Sequence, residues 1–181
     1  SSSLYSGTAG IAWVLLTAGD VLGDAEAAKA GKRGMDWVVA QLGTIEKSKG
    51  KFWDRGALDI ISGSAGICLA LEDAAKLTGE AKYHAAAVEA ADGLIEAARK
   101  AEDGWSWPTT VGEERTYTGF SHGVAGIGAT LARMFGATGD GKYLDAAKQA
   151  ARWLERNEVA VCGEGTLAWK HHVPADGTKD W

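Results

Sequence analysis

The chain of 181 residues is 46% hydrophobic and 24% charged, an ordinary composition for a globular domain that buries a core. Its net charge of −5 disfavours a nucleic-acid partner, because binding phosphates requires clustered Lys and Arg. No run of about 18 apolar residues occurs, so we expect no membrane-spanning segment and no membrane partner. The two cysteines, Cys68 and Cys162, have neither metal-site nor disulfide spacing, which indicates a reducing, cytoplasmic compartment with Cys68 in a helical core.

A glycine-containing turn occurs three times, at offsets of 56 and 60 residues. Its copies are Ser6-Gly7-Thr8-Ala9-Gly10-Ile11, Ser62-Gly63-Ser64-Ala65-Gly66-Ile67 and His122-Gly123-Val124-Ala125-Gly126-Ile127. Landmarks aligned by the same offsets are Gly23-Asp24, Gly79-Glu80 and Gly139-Asp140, and Lys82-Tyr83 with Lys142-Tyr143. A shared register predicts a single domain over 1–181 with repeats at approximately 1–56, 57–116 and 117–181.

The first helix of each repeat is predicted to start near Gly10, Gly66 or Gly126. It is apolar nearly all round, as Ile11 and Val14 show in the first copy, and a helix without a polar face is buried on most sides. The glycines that suit left-handed C-terminal caps of these helices are Gly23, Gly79 and Gly139. The acidic residue after each glycine favours the start of a second helix.

The second helix of each repeat is amphipathic. Its apolar positions are Met35, Val38, Val39 and Leu42 in the first copy, Tyr83, Ala87, Ala90, Ala91, Leu94 and Ile95 in the second, and Tyr143, Ala146, Ala147, Ala150 and Leu154 in the third. A buried helix followed by a half-buried helix predicts an all-α fold, an incomplete α/α toroid with inner and outer helices. An open solenoid also fits, but its repeats are usually about 33 to 47 residues long, and the longer period here leaves long loops at 43–58 and 101–119.

Parallel inner helices would bring all three turns to one rim. Glycines there allow close backbone approach and leave helix N-terminal amides for an anionic or thiolate substrate. The candidate substrate-binding glycines are Gly63, Gly66, Gly123 and Gly126. Tight helix packing alone also explains them.

Two residues break the repeat at this rim. His122 replaces Ser6 and Ser62, and Asp59 stands three residues before Ser62. Histidine titrates near neutrality and suits proton transfer. Asp59 could orient it, accept a proton or hold a substrate cation, so we take both as candidate catalytic residues. The structural alternatives are a helix cap for Asp59 and a packed histidine for His122.

Aromatic residues are concentrated in the loops and the C-terminal segment. Trp105 and Trp107 precede the third turn, and Trp169 and Trp181 lie near the C-terminus. They could contact a peptide or sugar, which makes Trp105 and Trp107 candidate substrate-binding residues, or they could pack over the ends of the barrel. The pair 171–172 is two histidines, too isolated for metal ligands, and is expected in a solvated loop.

The turns resemble motifs of the lanthionine synthetase C-like (LanC-like) family. The segments that carry the resemblance are Asp59-Ile60-Ile61-Ser62-Gly63-Ser64-Ala65-Gly66-Ile67 and Gly119-Phe120-Ser121-His122-Gly123-Val124-Ala125-Gly126-Ile127, with Leu4-Tyr5-Ser6-Gly7-Thr8-Ala9-Gly10-Ile11 as an earlier copy. The resemblance covers nearly the whole chain, and the order of the Asp-containing and His-containing turns is fairly specific.

This resemblance implies an α/α toroid related to zinc-dependent cyclases, which add a peptide cysteine thiol to a dehydroamino acid to form a thioether. It maps Asp59 onto an active-site aspartate and His122 onto the histidine proposed for proton transfer. It also implies zinc ligands in later repeats, a Cys in one and an adjacent Cys-His pair in another. This sequence contains no Cys-His pair and no Trp-Cys-x-Gly segment. We therefore expect zinc only in an intact family member, with a peptide or thiol as substrate.

A full toroid has more hairpins than three, so we expect this chain to form part of a ring. Missing C-terminal repeats or self-association would cover apolar surface that includes parts of Trp13, Leu16 and Phe135. Two other functions stay open. One is another toroid enzyme, such as a glycoside hydrolase with paired carboxylates, for which Asp59 is one candidate. The other is a non-catalytic module that binds a peptide or thiol.

Overall fold

Three helical hairpins make up most of the structure, a computed structural model that describes residues 1–45, 48–160 and 167–173. The helices are α1 (Thr8–Leu22), α2 (Ala25–Ala40), α3 (Ser64–Thr78), α4 (Ala81–Glu96), α5 (Val124–Thr138) and α6 (Gly141–Arg156). These helices hold more than half of the described residues, so the predicted helical fold is confirmed. None of these helices has the length and apolarity needed to cross a bilayer. Cys162 and Trp181 lie outside the described residues.

Short strands occupy the connections, and each outer helix is followed by a small antiparallel pair. The strands are β1 (Gly43–Thr44), β2 (Lys51–Phe52), β3 (Arg99–Ala101), β4 (Gly104–Ser106), β5 (Thr116–Tyr117), β6 (Glu158–Ala160), β7 (Leu167–Trp169) and β8 (His172–Val173). The pairs are β1–β2, β3–β4 and β6–β7, while β5 pairs with the distant β8. A 3₁₀ turn spans Asp54–Gly56. The predicted long loops are therefore partly ordered by strand pairing.

Each inner helix starts two residues before the second glycine of its turn, near which it was predicted to start. Their N-caps are Gly7, Gly63 and Gly123. The second glycine lies inside the first turn, where a Cβ atom would collide with a backbone carbonyl, as at Gly126 with the oxygen of Phe120. The predicted C-caps are confirmed, since Gly23, Gly79 and Gly139 have φ values of 68°, 72° and 71°.

The three turns meet at one rim, as parallel inner helices require. Helix α3 packs between α1 and α5. The amide of Tyr5 donates to the carbonyl of Ile61 at 3.2 Å, and the amide of Ile61 donates to the carbonyl of Ser121 at 3.3 Å. Each turn is thus hydrogen-bonded to the next through equivalent atoms.

Helix α1 differs from the prediction that inner helices are buried on most sides. Its residues Ile11 and Val14 are each 64% exposed, because no helix among the described residues packs against this face of α1. Leu16, expected to be partly exposed, is buried, and its Cγ lies 2.8 Å from where a Cβ on Gly31 of α2 would stand. Trp13 and Phe135 are half-buried, as expected.

The outer helices bury the predicted stripes and are linked by a repeated polar contact. The carboxylate of Asp36 accepts from Tyr83 Oη at 2.6 Å and pairs with Lys82 Nζ at 2.6 Å. The next contact has the same form, with Asp92 bonded to Tyr143 at 2.7 Å and to Lys142 at 2.8 Å. Asp24 and Asp140 cap α2 and α6 through their side chains, whereas Glu80 makes no such bond to α4.

We predict opposite effects for two glycine substitutions in α5. Gly126→Ala should destabilise the fold by roughly 1–3 kcal/mol, because the new methyl group would overlap the Phe120 carbonyl and Ile60. The matched control Gly136→Ala, at an exposed helical position with no atom within 4 Å, should stabilise it by about 0.5–1 kcal/mol. Urea unfolding measures both, and equal stability of Gly126→Ala and wild type would contradict the proposed close approach.

Candidate active site

A carboxyl–imidazole pair joins the second and third turns. Asp59 precedes α3, and His122 precedes the N-cap of α5. The carboxylate Oδ2 of Asp59 lies 2.6 Å from Nδ1 of His122. The structure therefore brings together the two residues that the sequence singled out as catalytic candidates.

Asp59 is buried, with 1% of its surface exposed, so its carboxylate needs partners. Its Oδ1 accepts the amide of Ser62 at 2.7 Å, and its Oδ2 faces His122. The helix cap expected for Asp59 is not found, because the N-cap of α3 is Gly63, without a side-chain cap bond; Oδ1 instead fixes the turn through Ser62, and Oδ2 contacts the imidazole. A carboxylate fixed in this way holds the imidazole at one orientation.

His122 presents its other ring nitrogen to the rim. Its side chain is 48% exposed, and among the described residues Nε2 has no hydrogen-bond partner. When Nδ1–H donates to Asp59, the neutral ring carries its lone pair on Nε2. The accessible nitrogen can then accept a proton from a ligand, while the carboxylate stabilises the resulting imidazolium.

The equivalent positions in the first turn carry neither a carboxylate nor an imidazole. Ser3 and Ser6, the counterparts of Asp59 and Ser62, place their hydroxyls 3.2 Å apart within one turn. Asp59 instead reaches across to the next repeat. The candidate site therefore depends on the contact between two repeats.

The four candidate glycines are all buried where backbones meet. A Cβ atom would meet backbone atoms of the preceding segment at each of Gly63, Gly66, Gly123 and Gly126. Close packing at the rim accounts for these residues by itself. Their position beside Asp59 and His122 also lines the rim with main-chain atoms.

A ring cluster that the sequence did not reveal lies beside His122. The ring centroid of Tyr117 is 6.4 Å from that of His122, 4.9 Å from that of His171 and 6.0 Å from that of His172. Arg115 Nη1 donates to the Tyr117 hydroxyl at 3.2 Å. The cluster brings three of the chain's four histidines around one tyrosine.

The pairing of strands β5 and β8 brings the members of this cluster together. Tyr117 in β5 is the partner of His172 in β8, and the buried Thr118 donates its amide to the carbonyl of His171 at 3.2 Å. The expectation of a solvated loop at 171–172 is wrong for His172, which belongs to β8, whereas His171 precedes the strand and both residues are exposed. In the sequence, the signal for this cluster was that two histidines are adjacent at 171–172.

The candidate tryptophans differ in accessibility. Trp107 is fully buried and donates Nε1 to the carbonyl of Leu94 at 2.7 Å, which is a packing role and leaves no surface for a substrate. Trp105 is half-buried, with Lys100 Nζ 4.7 Å from its ring centroid. Equivalent hydrogen bonds from an indole nitrogen to a backbone carbonyl occur at the other two outer helices, from Trp53 to Val38 and from Trp169 to Leu154. In the sequence, the signal for this packing role was a tryptophan about 15 residues after each of the accepting carbonyls.

Comparisons with known proteins agree with this architecture. The family model for lanthionine synthetase C-like proteins matches residues 1–180. A solved cellobiose 2-epimerase from Bacillus thermoamylovorans B4167 superposes with a TM-score of 0.67 at 14% identity, over 94% of this chain and 45% of that chain. The chain thus spans less than half the length of that structure, whose likeness confirms the α/α-toroid fold. Among curated proteins the sequence has no match. From the match over nearly its whole length, we conclude that the chain belongs to the lanthionine synthetase C-like family.

Proposed function

We propose that Asp59 and His122 carry out the proton transfers of thioether formation, in which a peptide cysteine thiol adds to a dehydroamino acid. The observation that supports this proposal is the 2.6 Å contact between a buried carboxylate and a half-exposed imidazole at the rim. Membership of the LanC-like family supports the choice of a thiol and a dehydroamino acid as reactants.

The reaction requires one proton to be removed and one to be delivered. His122 Nε2 takes the thiol proton, the sulfur bonds to Cβ of the dehydroamino acid, and the electron pair of the double bond moves into an enolate. The Nε2–H of the imidazolium then protonates Cα, which restores the neutral ring. The sum is the addition of S–H across the double bond, with no oxidant or reductant consumed. Such acid–base help contributes roughly 10²–10⁴-fold to rate.

Zinc, which the family's cyclases use, does not fit the residues described in this chain. Within 1–45, 48–160 and 167–173, no group of three or more His, Cys, Asp or Glu side chains can hold a metal ion. Cys68 is buried and donates to the carbonyl of Ala87 at 3.5 Å, and its burial raises the pKa of the thiol, so it stays protonated. We propose that zinc binds an intact family member outside these residues.

A peptide or small thiol is the proposed ligand of this rim, and a sugar has less support. The solved neighbour is a cellobiose 2-epimerase by its title, but at 14% identity it informs the fold alone. A glycoside hydrolase needs two free carboxylates, whereas both oxygens of Asp59 are bonded. The other buried carboxylate among the described residues, Glu72, lies 2.7 Å from His84 between α3 and α4. A non-catalytic binding module would use the same rim without proton transfer.

His122→Asn should separate catalysis from binding. In the intact protein, we expect turnover to fall roughly 10²–10⁴-fold, because asparagine cannot take or deliver the proton. Mass spectrometry of a peptide with one cysteine and one dehydroalanine, with trapping of unreacted thiol, measures product. As the matched control, His84→Gln keeps a donor for Glu72 and should leave turnover unchanged. Full activity of folded His122→Asn, or peptide binding without product in wild type, would overturn the proposal.

Asp59→Asn should lower turnover by a comparable factor while the fold is kept. The amide oxygen can still accept from Ser62, but an NH₂ group facing Nδ1 favours the tautomer with the proton on Nε2. That tautomer cannot accept the thiol proton, so we expect a loss of roughly 10²–10⁴-fold. Circular dichroism checks the fold. Unchanged turnover would mean that Asp59 only stabilises the turn through its bond to Ser62.

A further inference from the structure

The segment that precedes the second turn is held by backbone bonds to the loop that follows α4. Leu58 donates its amide to the carbonyl of Thr109 at 2.8 Å, and Ala57 forms an antiparallel bridge with Thr110. None of these side chains carries a charge or a ring. Small, neutral side chains are therefore sufficient for this contact between successive repeats.

An equivalent contact occurs one repeat later, with different side chains. Thr118 donates its amide to the carbonyl of His171 at 3.2 Å, and Tyr117 pairs with His172. Tyr117 follows Ala57 by 60 residues, which is the offset between the second and third turns. A tyrosine and two histidines thus replace an alanine and two threonines, so the backbone contact does not require them. The catalytic candidates also depart from the repeat, and the two departures lie side by side.

The side chains at this later contact form a cluster rich in hydrogen-bond donors. Arg115 Nη1 donates to the hydroxyl of Tyr117 at 3.2 Å, which leaves the phenolic hydrogen and other guanidinium hydrogens for a further partner. His171 and His172 are exposed, and each imidazole carries at least one N–H in either charge state. We call these four residues the donor cluster.

The donor cluster carries positive charge. The hydrogen bond to Tyr117 and, to a smaller extent, the charge of Glu113 raise the pKa of Arg115, so its guanidinium stays charged. Among the residues that the structure describes, no carboxylate forms an ion pair with this guanidinium. Asp59 is already bonded through both of its oxygens. Within a chain of net charge −5, this place is therefore complementary to an anionic group.

A carboxylate is the anion that these donors fit best. A guanidinium presents its N–H groups in a planar fork that matches the two oxygens of a carboxylate. A phenol and an imidazole can each add one further hydrogen bond to the same oxygens. Because the ring of Tyr117 lies 6.4 Å from that of His122, a carboxylate bound here would be held next to the candidate acid–base group.

We propose that the donor cluster binds a carboxylate of the peptide ligand and so determines which peptides reach His122. The carboxylate belongs to an aspartate or glutamate near the reacting cysteine, or to the C-terminus of the peptide. The choice of a peptide rests on the proposed function, whereas the carboxylate site rests on the contacts of the donor cluster itself.

Peptide binding to the intact protein tests this site without any chemical step. Fluorescence anisotropy compares labelled peptides that have one cysteine, alanine in place of dehydroalanine and an amidated C-terminus. One set carries glutamate at each of the three positions on either side of the cysteine, and a matched set carries glutamine. A third set has glutamine and a free C-terminal carboxylate. We expect a peptide with a carboxylate to bind roughly tenfold or more tightly than its neutral match, because hydrogen bonds to charged groups are strong.

Variants of the donor cluster should lose this preference. In Arg115→Gln, and in the double variant His171→Gln with His172→Gln, the affinity ratio between charged and neutral peptides should fall towards one. The matched control is Arg55→Gln, because Arg55 is the exposed counterpart of Arg115 one repeat earlier and precedes Ala57 instead of a tyrosine. The control should keep the wild-type ratio. Circular dichroism checks that each variant is folded.

The outcomes separate this site from the proposed reaction. A preference for glutamate or for the free C-terminus identifies the source of the carboxylate. Equal affinity of wild type for charged and neutral peptides would overturn the site, as would a preference that survives in both cluster variants or disappears in Arg55→Gln. Thioether product without a carboxylate preference would overturn the site alone. A carboxylate preference without product would overturn the proposed function alone.

Discussion

Close backbone contact between successive glycine turns is the constraint on which the rest of the structure depends. At Gly66 and Gly126 a Cβ atom would collide with a carbonyl of the same turn, and a side chain of the preceding turn lies within 3.1 Å of the same place. This contact sets the distance between inner helices and permits the amide bonds that link the turns. Because α1, α3 and α5 then stand in register, residues at equivalent places in the sequence reach one rim.

The candidate site follows from that register. Asp59 and His122 are 63 residues apart in sequence, yet the turn-to-turn contact brings their side chains to 2.6 Å. The carboxylate of Asp59 lies behind the rim and is buried. The imidazole of His122 lies on the rim and is half-exposed. Burial of one partner and exposure of the other is the arrangement that acid–base chemistry requires, since only the histidine must meet the substrate.

The sequence predicted much of this, and particular residues show why it predicted no more. Repeated spacing was sufficient for the hairpins, the caps at Gly23 and Gly79, and the meeting of Asp59 with His122. The exposure of Ile11 was not predictable, because an apolar face does not reveal whether its neighbour is present. The cluster at Tyr117 depends on pairing between β5 and β8, which are short and distant in sequence. The burial of Trp107 depends on a free carbonyl at the end of α4, which periodicity does not reveal.

The central claim is that Asp59 fixes the tautomer of His122 and leaves Nε2 free at the rim. Long-range ¹⁵N–¹H correlation spectra of the protein, assigned with His122→Asn, report which ring nitrogen carries the proton in the neutral imidazole. The account predicts a proton on Nδ1 in wild type, shielded from exchange by its bond to the carboxylate. A neutral ring with its proton mainly on Nε2, or one that exchanges rapidly between tautomers, would contradict the account.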